Sequence, residues 1–159
     1  MGTARTAHTA TLLKDGTVLV IGGLDYAARV GVVYETALTS SELFDPKKGT
    51  FAPAASMATP RGEHSATLRS DGTILVAGGK SVLPRTSQVV FLEQSLDTAE
   101  LLDPMSKVFM RTGSMETPRS GHTATLLQDG RVLVTGGADF TVQSGTQFST
   151  VLSSAELFQ

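Results

Sequence analysis

Three histidines recur at a nearly constant spacing and are the residues that most obviously could bind a metal ion. His8, His64 and His122 lie 56 and 58 residues apart, and the first opens the phrase HTATLLKDGTVLVIGG. Neutral imidazole is the commonest metal ligand in proteins. Because metal–nitrogen bonds are only about 2 Å long, however, one ion should not reach equivalent positions on separate repeats. We therefore predict no metal site and expect a structural role, such as a hydrogen bond that ties each histidine's strand to the loop before it.

Arginine and glutamate also recur once per repeat and could pair as acid and base. The recurring positions are Arg5, Arg61 and Arg119, and Glu42, Glu100 and Glu156. Such pairs can serve proton transfer in catalysis. A guanidinium group can also meet a carboxylate bidentately and so satisfy buried charge between adjacent repeats. Because the same pair returns in every repeat, we interpret it as a structural ion pair and predict no catalytic residue.

Paired glycines follow each histidine phrase and invite comparison with phosphate-binding loops. The pairs are Gly22 and Gly23, Gly78 and Gly79, and Gly136 and Gly137. No G-x-G-x-x-G or P-loop pattern is present, and no helical pattern follows the pairs. We therefore expect no nucleotide cofactor. Instead, each pair should end a strand where a Cβ atom would clash or where φ must be positive.

The whole chain, residues 1–159, is a single repeat region of three units, at about 1–59, 60–117 and 118–159. Residues 5–25 and 119–139 are identical at 15 of 21 aligned positions, so the units arose by duplication. A second phrase occurs three times, as SSELFDP, TAELLDP and SAELFQ. A third phrase occurs twice, as GTFAPAASMATPR and SKVFMRTGSMETPR, and the last unit lacks it.

Composition excludes several classes of function. The formal net charge of −2 and the pI near 5.9 provide no basic surface, so we expect no nucleic-acid partner. No apolar run approaches the roughly 18 residues of a membrane helix, and the first residues do not resemble a signal peptide. The chain contains no cysteine, which removes disulfides and thiol chemistry. We expect a soluble protein, and its compartment stays open.

Each unit has the pattern of a four-stranded antiparallel meander. In the first unit the strands, named A to D, should cover about 8–13, 18–23, 41–45 and 50–57. Asp15-Gly16 joins strands A and B, and Asp-Gly is the favoured pair for a type I′ turn. Strand B, VLVIGG, is apolar on both faces, which is typical of a strand covered on both sides. Because such sheets need a neighbour on each side, the pattern predicts an all-β propeller-like fold.

The residues also resemble a known family. An arginine, a histidine three residues on, the hairpin ATLL-DG-VLV-GG, the strand ELFDP and the phrase SM-x-TPR together are similar to the kelch repeat of galactose-oxidase-like and bacterial kelch proteins. The resemblance implies that strand A lies innermost at a central channel and strand D outermost. Phe51 and Phe109 stand where tryptophan is usual in the family. The chain would then form three blades, the third without its outer strand.

Three blades are fewer than the five to seven that the resemblance implies. Two open blade faces would expose broad apolar surface, so we expect the chain to associate with itself. A dimer, which we favour, would complete a ring of six blades. The alternatives are a piece of a longer protein and a larger homo-oligomer.

The connections between strands B and C are 16 to 18 residues long and carry the least repeated residues. An aromatic residue stands at a matching place in each connection, at Tyr34, Phe91 and Phe148. These rings could pack between neighbouring loops, or form a raised rim at the channel mouth that binds a partner. Function need not follow the repeat, so we predict contacts from the residues that break it. These are Asp25, Tyr26, Arg29, Arg85, Asp139 and Phe140.

The favoured function is a non-enzymatic binding or scaffold module with a protein, peptide or carbohydrate ligand and no cofactor. The enzymatic alternative is a relative of galactose oxidase, whose copper centre implies two histidines, two tyrosines and a tyrosine–cysteine cross-link. With no cysteine, and with Tyr26 and Tyr34 as its only tyrosines, this chain would be at most a non-catalytic part of such an enzyme. A third alternative is a structural half-propeller whose only partner is itself.

Overall fold

The computed structural model describes residues 1–29, 32–83 and 92–159, and this part of the chain consists of strands and turns without a helix. The described residues form seventeen strands, numbered below in chain order, in three larger antiparallel sheets and three two-stranded hairpins. They include no helix that could cross a membrane. The predicted all-β fold class is confirmed.

The first sheet, blade 1, is the predicted four-stranded meander. Its strands, in spatial order, are β1 (Thr9–Leu12), β2 (Val18–Ile21), β5 (Ser41–Asp45) and β6 (Thr50–Pro53). Strand B ends earlier than predicted because Gly22 and Gly23 adopt φ of +57° and +104°, where a regular strand cannot continue. Strand D ends at Pro53 and not at residue 57, because the chain turns so that Met57 enters the core.

Blades 2 and 3 repeat this arrangement. Blade 2 contains β7 (Ser65–Leu68), β8 (Ile74–Ala77), β11 (Ala99–Asp103) and β12 (Val108–Arg111). Blade 3 contains β13 (Thr123–Leu126), β14 (Val132–Thr135) and β17 (Ala155–Phe158). Neighbouring blades touch through their first strands, β1 against β7 and β7 against β13. The predicted order of strands within each blade is therefore correct.

The turns between strands A and B are not of the predicted type I′. That type needs positive φ at both central residues, but φ is positive at Gly16 (+86°) and not at Asp15. Leu13 N–H donates to the Thr17 carbonyl at 2.8 Å, which closes a three-residue loop with the glycine in the left-handed region. The Asp15 carboxylate accepts the Thr17 N–H at 2.9 Å. Asp71 does the same for Thr73, so the aspartate shapes the loop through its side chain.

The connections between strands B and C fold into hairpins of their own. Rim hairpin 1 is β3 (Leu24–Arg29) with β4 (Val32–Ala37), rim hairpin 2 is β9 (Lys80–Val82) with β10 (Glu93–Ser95), and rim hairpin 3 is β15 (Ala138–Gln143) with β16 (Thr146–Val151). Each is a separate two-stranded sheet. They stand at the opposite end of the blades from the Asp-Gly turns.

The hydrophobic core lies between the blades. Leu19 and Ile21 of blade 1 pack with Ile74 and Val76 of blade 2, and Met57 fills the gap between the sheets. A second cluster joins blades 2 and 3 and contains Leu75, Ala77, Met115, Val132, Val134 and Phe158. Since β8 contributes to both clusters, the prediction that strand B is covered on both faces holds for blade 2.

Candidate binding rim

The three rim hairpins stand side by side and form one continuous surface, called the rim below. Strand β4 contacts β9, and β10 contacts β15. The Glu93 N–H donates to the Gln147 amide oxygen at 2.9 Å, and the Phe140 N–H donates to the Ser95 hydroxyl at 2.9 Å. These hydrogen bonds join hairpins 2 and 3 directly, so the rim is held together by its own contacts.

The glycine pairs lie between the blades and the rim, where the chain passes very close to neighbouring backbone. A Cβ on Gly78 would lie 2.6 Å from the Arg119 carbonyl oxygen, and a Cβ on Gly22 would lie 2.6 Å from that of Arg61. Both glycines also have positive φ, at +60° and +57°. In blades 1 and 2 the first glycine of the pair thus lets the backbone of the next blade approach. The predicted reason for these glycines, close contact and positive φ, is confirmed here.

The repeated arginines and glutamates fix the loops beneath the rim. The Arg61 guanidinium is fully buried and donates to the Gly78 and Thr98 carbonyls at 2.6 and 2.9 Å, and to Oε1 of Glu100 at 3.1 Å. Both oxygens of Glu100 also accept N–H groups, from Ala58 and Thr59. Glu100 therefore joins its own blade to the connection that leaves blade 1.

Two details of the predicted ion pair are wrong. The arginine meets one carboxylate oxygen and not two, because its other terminal nitrogen serves the strand-end carbonyls. The partners also belong to the same blade, and the link to the adjacent blade is made by the backbone N–H groups. The same pattern holds for Arg5 with Glu42, at 2.8 Å, and for Arg119 with Glu156, at 2.5 Å.

The charge state of these pairs follows from their surroundings. Burial alone would raise the pKa of Glu42, but N–H groups and the Arg5 guanidinium outweigh it and lower the pKa. The pKa of Glu156 is lowered for the same reasons, with Arg119 as the cation. Burial lowers the pKa of Arg61, against the raising effect of Glu100. Glu42 and Glu156 are thus ionised at neutral pH and act as structural anchors.

His64 and His122 connect neighbouring blades through Nε2, a contact that was not predicted from the sequence. His64 Nε2 lies 3.0 Å from the Thr9 hydroxyl, and His122 Nε2 lies 2.9 Å from the Ser65 hydroxyl. Each partner is on the first strand of the blade before, because those strands run beside each other. Burial and the nearby Arg61 charge lower the pKa of His64 to about 3. Burial and Arg119 lower that of His122 to about 4.

A buried lysine at the base of the rim breaks the repeat. Lys80 is 7% exposed, and its ammonium lies 2.8 Å from Glu63 Oε1 and 2.6 Å from Glu93 Oε1. The matching positions hold Leu24 and Ala138, so blade 2 alone has this cation. Burial alone would lower the pKa of Lys80, but the two carboxylates raise it. The lysine is therefore charged at neutral pH.

Sequence reasoning missed this cluster, although a signal was present. Glu63 occupies a left-handed position, φ +54°, where the other repeats have Ala7 and Gly121. Glu93 comes from the far strand of hairpin 2. The three residues lie far apart in sequence, and only the pairing of β9 with β10 brings Glu93 opposite Val82 and close to Lys80. A search for charged residues that break the repeat would have found all three.

The residues predicted for contact lie at different places on the rim. The Phe140 ring centroid is 5.9 Å from the Lys80 ammonium. Burial raises the pKa of Asp139, and its buried Oδ1 has no hydrogen-bond partner among the described residues. Phe148 is 52% exposed, so it does not fill a gap between hairpins as one interpretation expected. Asp25 lies on β3, paired with Thr36.

The other predicted residues are only partly covered by the structure. Arg29 and Tyr34 are placed by their backbone, opposite Val32 and Ala27. Arg85 and Phe91 lie outside the described residues.

A tyrosine and a glutamate form a second polar contact on hairpin 1. The Tyr26 hydroxyl donates to Glu35 Oε1 at 3.1 Å. Burial raises the pKa of Glu35, and the nearby Glu93 raises it further, against the lowering effect of the Tyr26 hydroxyl. Burial and Glu35 raise the pKa of Tyr26. Tyr26 keeps 51% of its surface exposed, so its ring is open to a ligand.

Comparison with known proteins shows which folds this chain resembles. No protein-family model matches the chain. Over 133 residues it is 29% identical to spermatocyte protein spe-26 of Caenorhabditis elegans, a match that spans 82% of this chain and 20% of that protein. Among solved structures it is similar to a fungal alcohol oxidase of the AA5 family in complex with copper, with a TM-score of 0.64, 22% identity, and coverage of 85% of this chain and 27% of the other.

A second solved structure supports the same architecture. YjhT matches with a TM-score of 0.61 and 18% identity, over 86% of this chain and 35% of its own. Both structures are kelch-type β-propellers, so the chain has the fold of part of a β-propeller. It spans about a fifth of the curated relative and about a third of the solved chains.

Proposed function

We propose that this chain is a non-enzymatic, kelch-type binding module that presents its rim to a protein or carbohydrate ligand. The observation that carries the proposal is the cluster of Lys80, Glu63 and Glu93. The blades are nearly identical in their repeated core residues, and they differ most at the rim. At this one place three charged residues depart from the repeat. Such a departure is expected where a surface is selected for contact with a ligand, because residues selected for folding follow the repeat.

The rim has the chemistry of a recognition surface. Tyr26 and Phe148 each expose about half of their surface, and the Glu35 carboxylate lies beside Tyr26. Aromatic rings bury much area at little entropic cost, and they stack on sugar rings and on apolar side chains alike. Carboxylates accept hydrogen bonds from hydroxyl and N–H groups. The ion pairs of Lys80 keep the base of the rim rigid, so little ordering is needed when a ligand binds.

The alternative is a non-catalytic part of a copper oxidase, favoured by the likeness to the copper-bound alcohol oxidase. Against it stand the absence of cysteine and the finding that no three His, Cys, Asp or Glu residues in the described ranges could share a metal ion. Copper analysis after loading and dialysis separates the two. One tightly held copper per chain would favour the oxidase relationship.

Ligand arrays, followed by titration, test the binding proposal. The protein is screened on glycan and peptide arrays, and each hit is measured with a Tyr26→Ala/Phe148→Ala variant. We expect the dissociation constant to rise at least about tenfold, since aromatic anchors carry more than 1 kcal/mol each. Met105→Ala is the matched control, because Met105 is 92% exposed at the opposite end of blade 2. Ligands that respond to Met105 and not to the rim would contradict the proposal.

Self-association through the open blade faces is the second part of the proposed function. A pair of chains would place six blades around one axis and cover the apolar faces of blades 1 and 3. The molar mass in solution tests it, and the expected value is twice 16.6 kDa.

A further inference from the structure

Each blade has two different faces, and the core clusters define them. The front face packs on the preceding blade, and the back face receives the following one. In blade 3 the front face consists of Ala124, Leu126, Val132, Val134 and Phe158, with His122 at its edge. In blade 2 the back face that receives it consists of Leu75, Ala77 and Leu101.

The front face of blade 1 is the same as that of blade 3 at all six positions. Its residues are His8, Ala10, Leu12, Val18, Val20 and Phe44. Among the described residues no blade packs on this face as blade 2 packs on the front face of blade 3, although Val20 at its centre is only 5% exposed. Leu12 is 64% exposed, whereas Leu126 packs against the core cluster. Blade 1 thus carries a complete docking surface for the back of another blade.

The back face of blade 3 matches the surface that such a front face needs. Leu133 and Leu157 stand where blade 2 has Leu75 and Leu101, and Leu157 is 47% exposed. The third position, Ala77 in blade 2, is Thr135 in blade 3. Thr123 stands where the histidine partners Thr9 and Ser65 stand in the other blades. The Thr123 hydroxyl contacts Thr135 at 2.8 Å and keeps further hydrogen-bonding capacity.

A glycine on the same side marks where the backbone of another blade fits. Gly22 and Gly78 are each crowded by the following blade, with a carbonyl oxygen 2.6 Å from the place of a Cβ. Gly136 has the same left-handed backbone, φ +66°, but its nearest such neighbour is the Leu152 oxygen at 3.7 Å. At Gly22 and Gly78 this space is occupied by the backbone carbonyls of Arg61 and Arg119. The same space is therefore open at Gly136.

We infer that the front face of blade 1 docks on the back face of blade 3 in a second copy of this chain, in the register that joins the blades within one chain. This inference rests on the self-association proposed above and deepens it. Val18 and Phe44 of one copy pack against Leu133 and Leu157 of the second. His8 Nε2 pairs with the Thr123 hydroxyl, and the Arg5 carbonyl lies against Gly136. We assign a second copy to this face because the back face of its blade 3 resembles the surface on which the chain already packs an identical front face.

Molar mass by light scattering during gel filtration tests the register with two single variants. Gly136→Ala adds a methyl group for which the chain alone has space, apart from the strain of its positive φ, but which would meet the Arg5 carbonyl of the second copy. Leu157→Asp places a charge on an exposed position of the back face. We expect each variant to behave as a single chain, with a dissociation constant raised at least about 100-fold. Gly130→Ala is the backbone control, because φ is +87° there and nothing lies within 4 Å of the added atom. Met105→Asp is the charge control, and circular dichroism establishes that every variant folds.

Mixing experiments test which faces meet. Leu12→Asp and Leu157→Asp should each be a single chain alone, and a mixture of the two should form a mixed pair. In that pair one junction carries both charges, and the other carries neither and stays intact.

A wild-type protein that stays a single chain at micromolar concentration would overturn the inference together with self-association. A wild-type dimer that tolerates both Gly136→Ala and Leu157→Asp would overturn the register alone. Loss of ligand binding by rim variants bears on neither outcome.

Discussion

At the scale of single residues, the repeated arginine shows how a buried charge is made acceptable. Arg61 is removed from water, a change that would cost several kcal/mol if its charge were unpaired. Two strand-end carbonyls and one carboxylate take its terminal N–H groups. The carboxylate in turn accepts two backbone N–H groups. The result is a network whose members depend on one another, although the Nε of Arg61 has no hydrogen-bond partner among the described residues.

The first prediction is that Glu100→Ala lowers the free energy of unfolding by about 3–5 kcal/mol, because Arg61 is then left buried without a counter-charge. The variant also leaves the N–H groups of Ala58 and Thr59 without their acceptor. Chemical denaturation followed by circular dichroism measures the change. Arg131→Ala is the control, since its pair with Asp129 is exposed and its loss should change stability little. A loss below about 1 kcal/mol for Glu100→Ala would refute the proposed network.

The second prediction concerns acid. His64 is neutral in the folded protein, with a pKa near 3, whereas an unfolded histidine titrates near 6.5. The unfolded state therefore binds more protons below pH 6.5, so stability is complete above that pH and falls as the pH drops toward 3. The slope is about 1.4 kcal/mol per pH unit for each such histidine. Between pH 7 and 5, His64→Gln should lose about 2 kcal/mol less than wild type.

His122→Gln provides a parallel measurement, because burial holds its folded pKa near 4. Denaturation curves at pH 7, 6 and 5 for the three proteins give the slopes. Equal slopes for wild type and both variants would mean that neither histidine is held neutral by burial.

The sequence predicted the kind of role these residues play but not their partners. Periodicity alone indicates that an arginine, a histidine and a glutamate belong to the fold. Which hydroxyl His64 reaches depends on how closely β1 and β7 approach, and that distance is set by side-chain packing between sheets. Lys80, Glu63 and Glu93 escaped prediction for a related reason. Their proximity is produced by hairpin pairing, which local sequence specifies weakly.

At the scale of elements, the glycine pair separates the end of strand B in the blade from the first strand of the rim hairpin that follows it. Strands B and C were predicted within a few residues because their apolar residues and the flanking glycines mark both ends. The long connections were predicted as loops of 16 to 18 residues, without strands of their own. They fold into hairpins because backbone groups near the blade tops need partners. The bridge between Thr6 and Leu24 begins this pairing.

The third prediction compares two glycines with the same backbone conformation. Gly130→Ala should cost about 1–2 kcal/mol, the price of a left-handed residue with a Cβ. Gly78→Ala should cost at least about 2 kcal/mol more, because its Cβ would also meet the Arg119 carbonyl and the His122 ring. Denaturation of both variants under one condition measures the difference. Equal losses would mean that the backbone of blade 3 can move away freely.

At the scale of the whole molecule, the fold follows from faces that no single blade can cover. Each blade is apolar on both sides, so a blade packs on its neighbour and leaves the next face open. This logic made the architecture predictable from three copies of one phrase. It does not determine how many blades surround the axis, because the angle between blades depends on the packing of Met57, Met115 and the small residues around them.

The last prediction follows from the central position of β8. Its four residues alternate between the two core clusters and are at most 4% exposed, so β8 can open only if both interfaces between blades are lost. The outer strand β6 is exposed along its whole length, and β12 nearly so. We expect β8 amides to exchange hydrogen through global unfolding, and those of β6 and β12 through local fraying at rates at least about 100-fold faster. Hydrogen exchange read by mass spectrometry measures this gradient. Protection of β6 equal to that of β8 would show that the outer edge is covered in solution, and stability would then not be centred on blade 2.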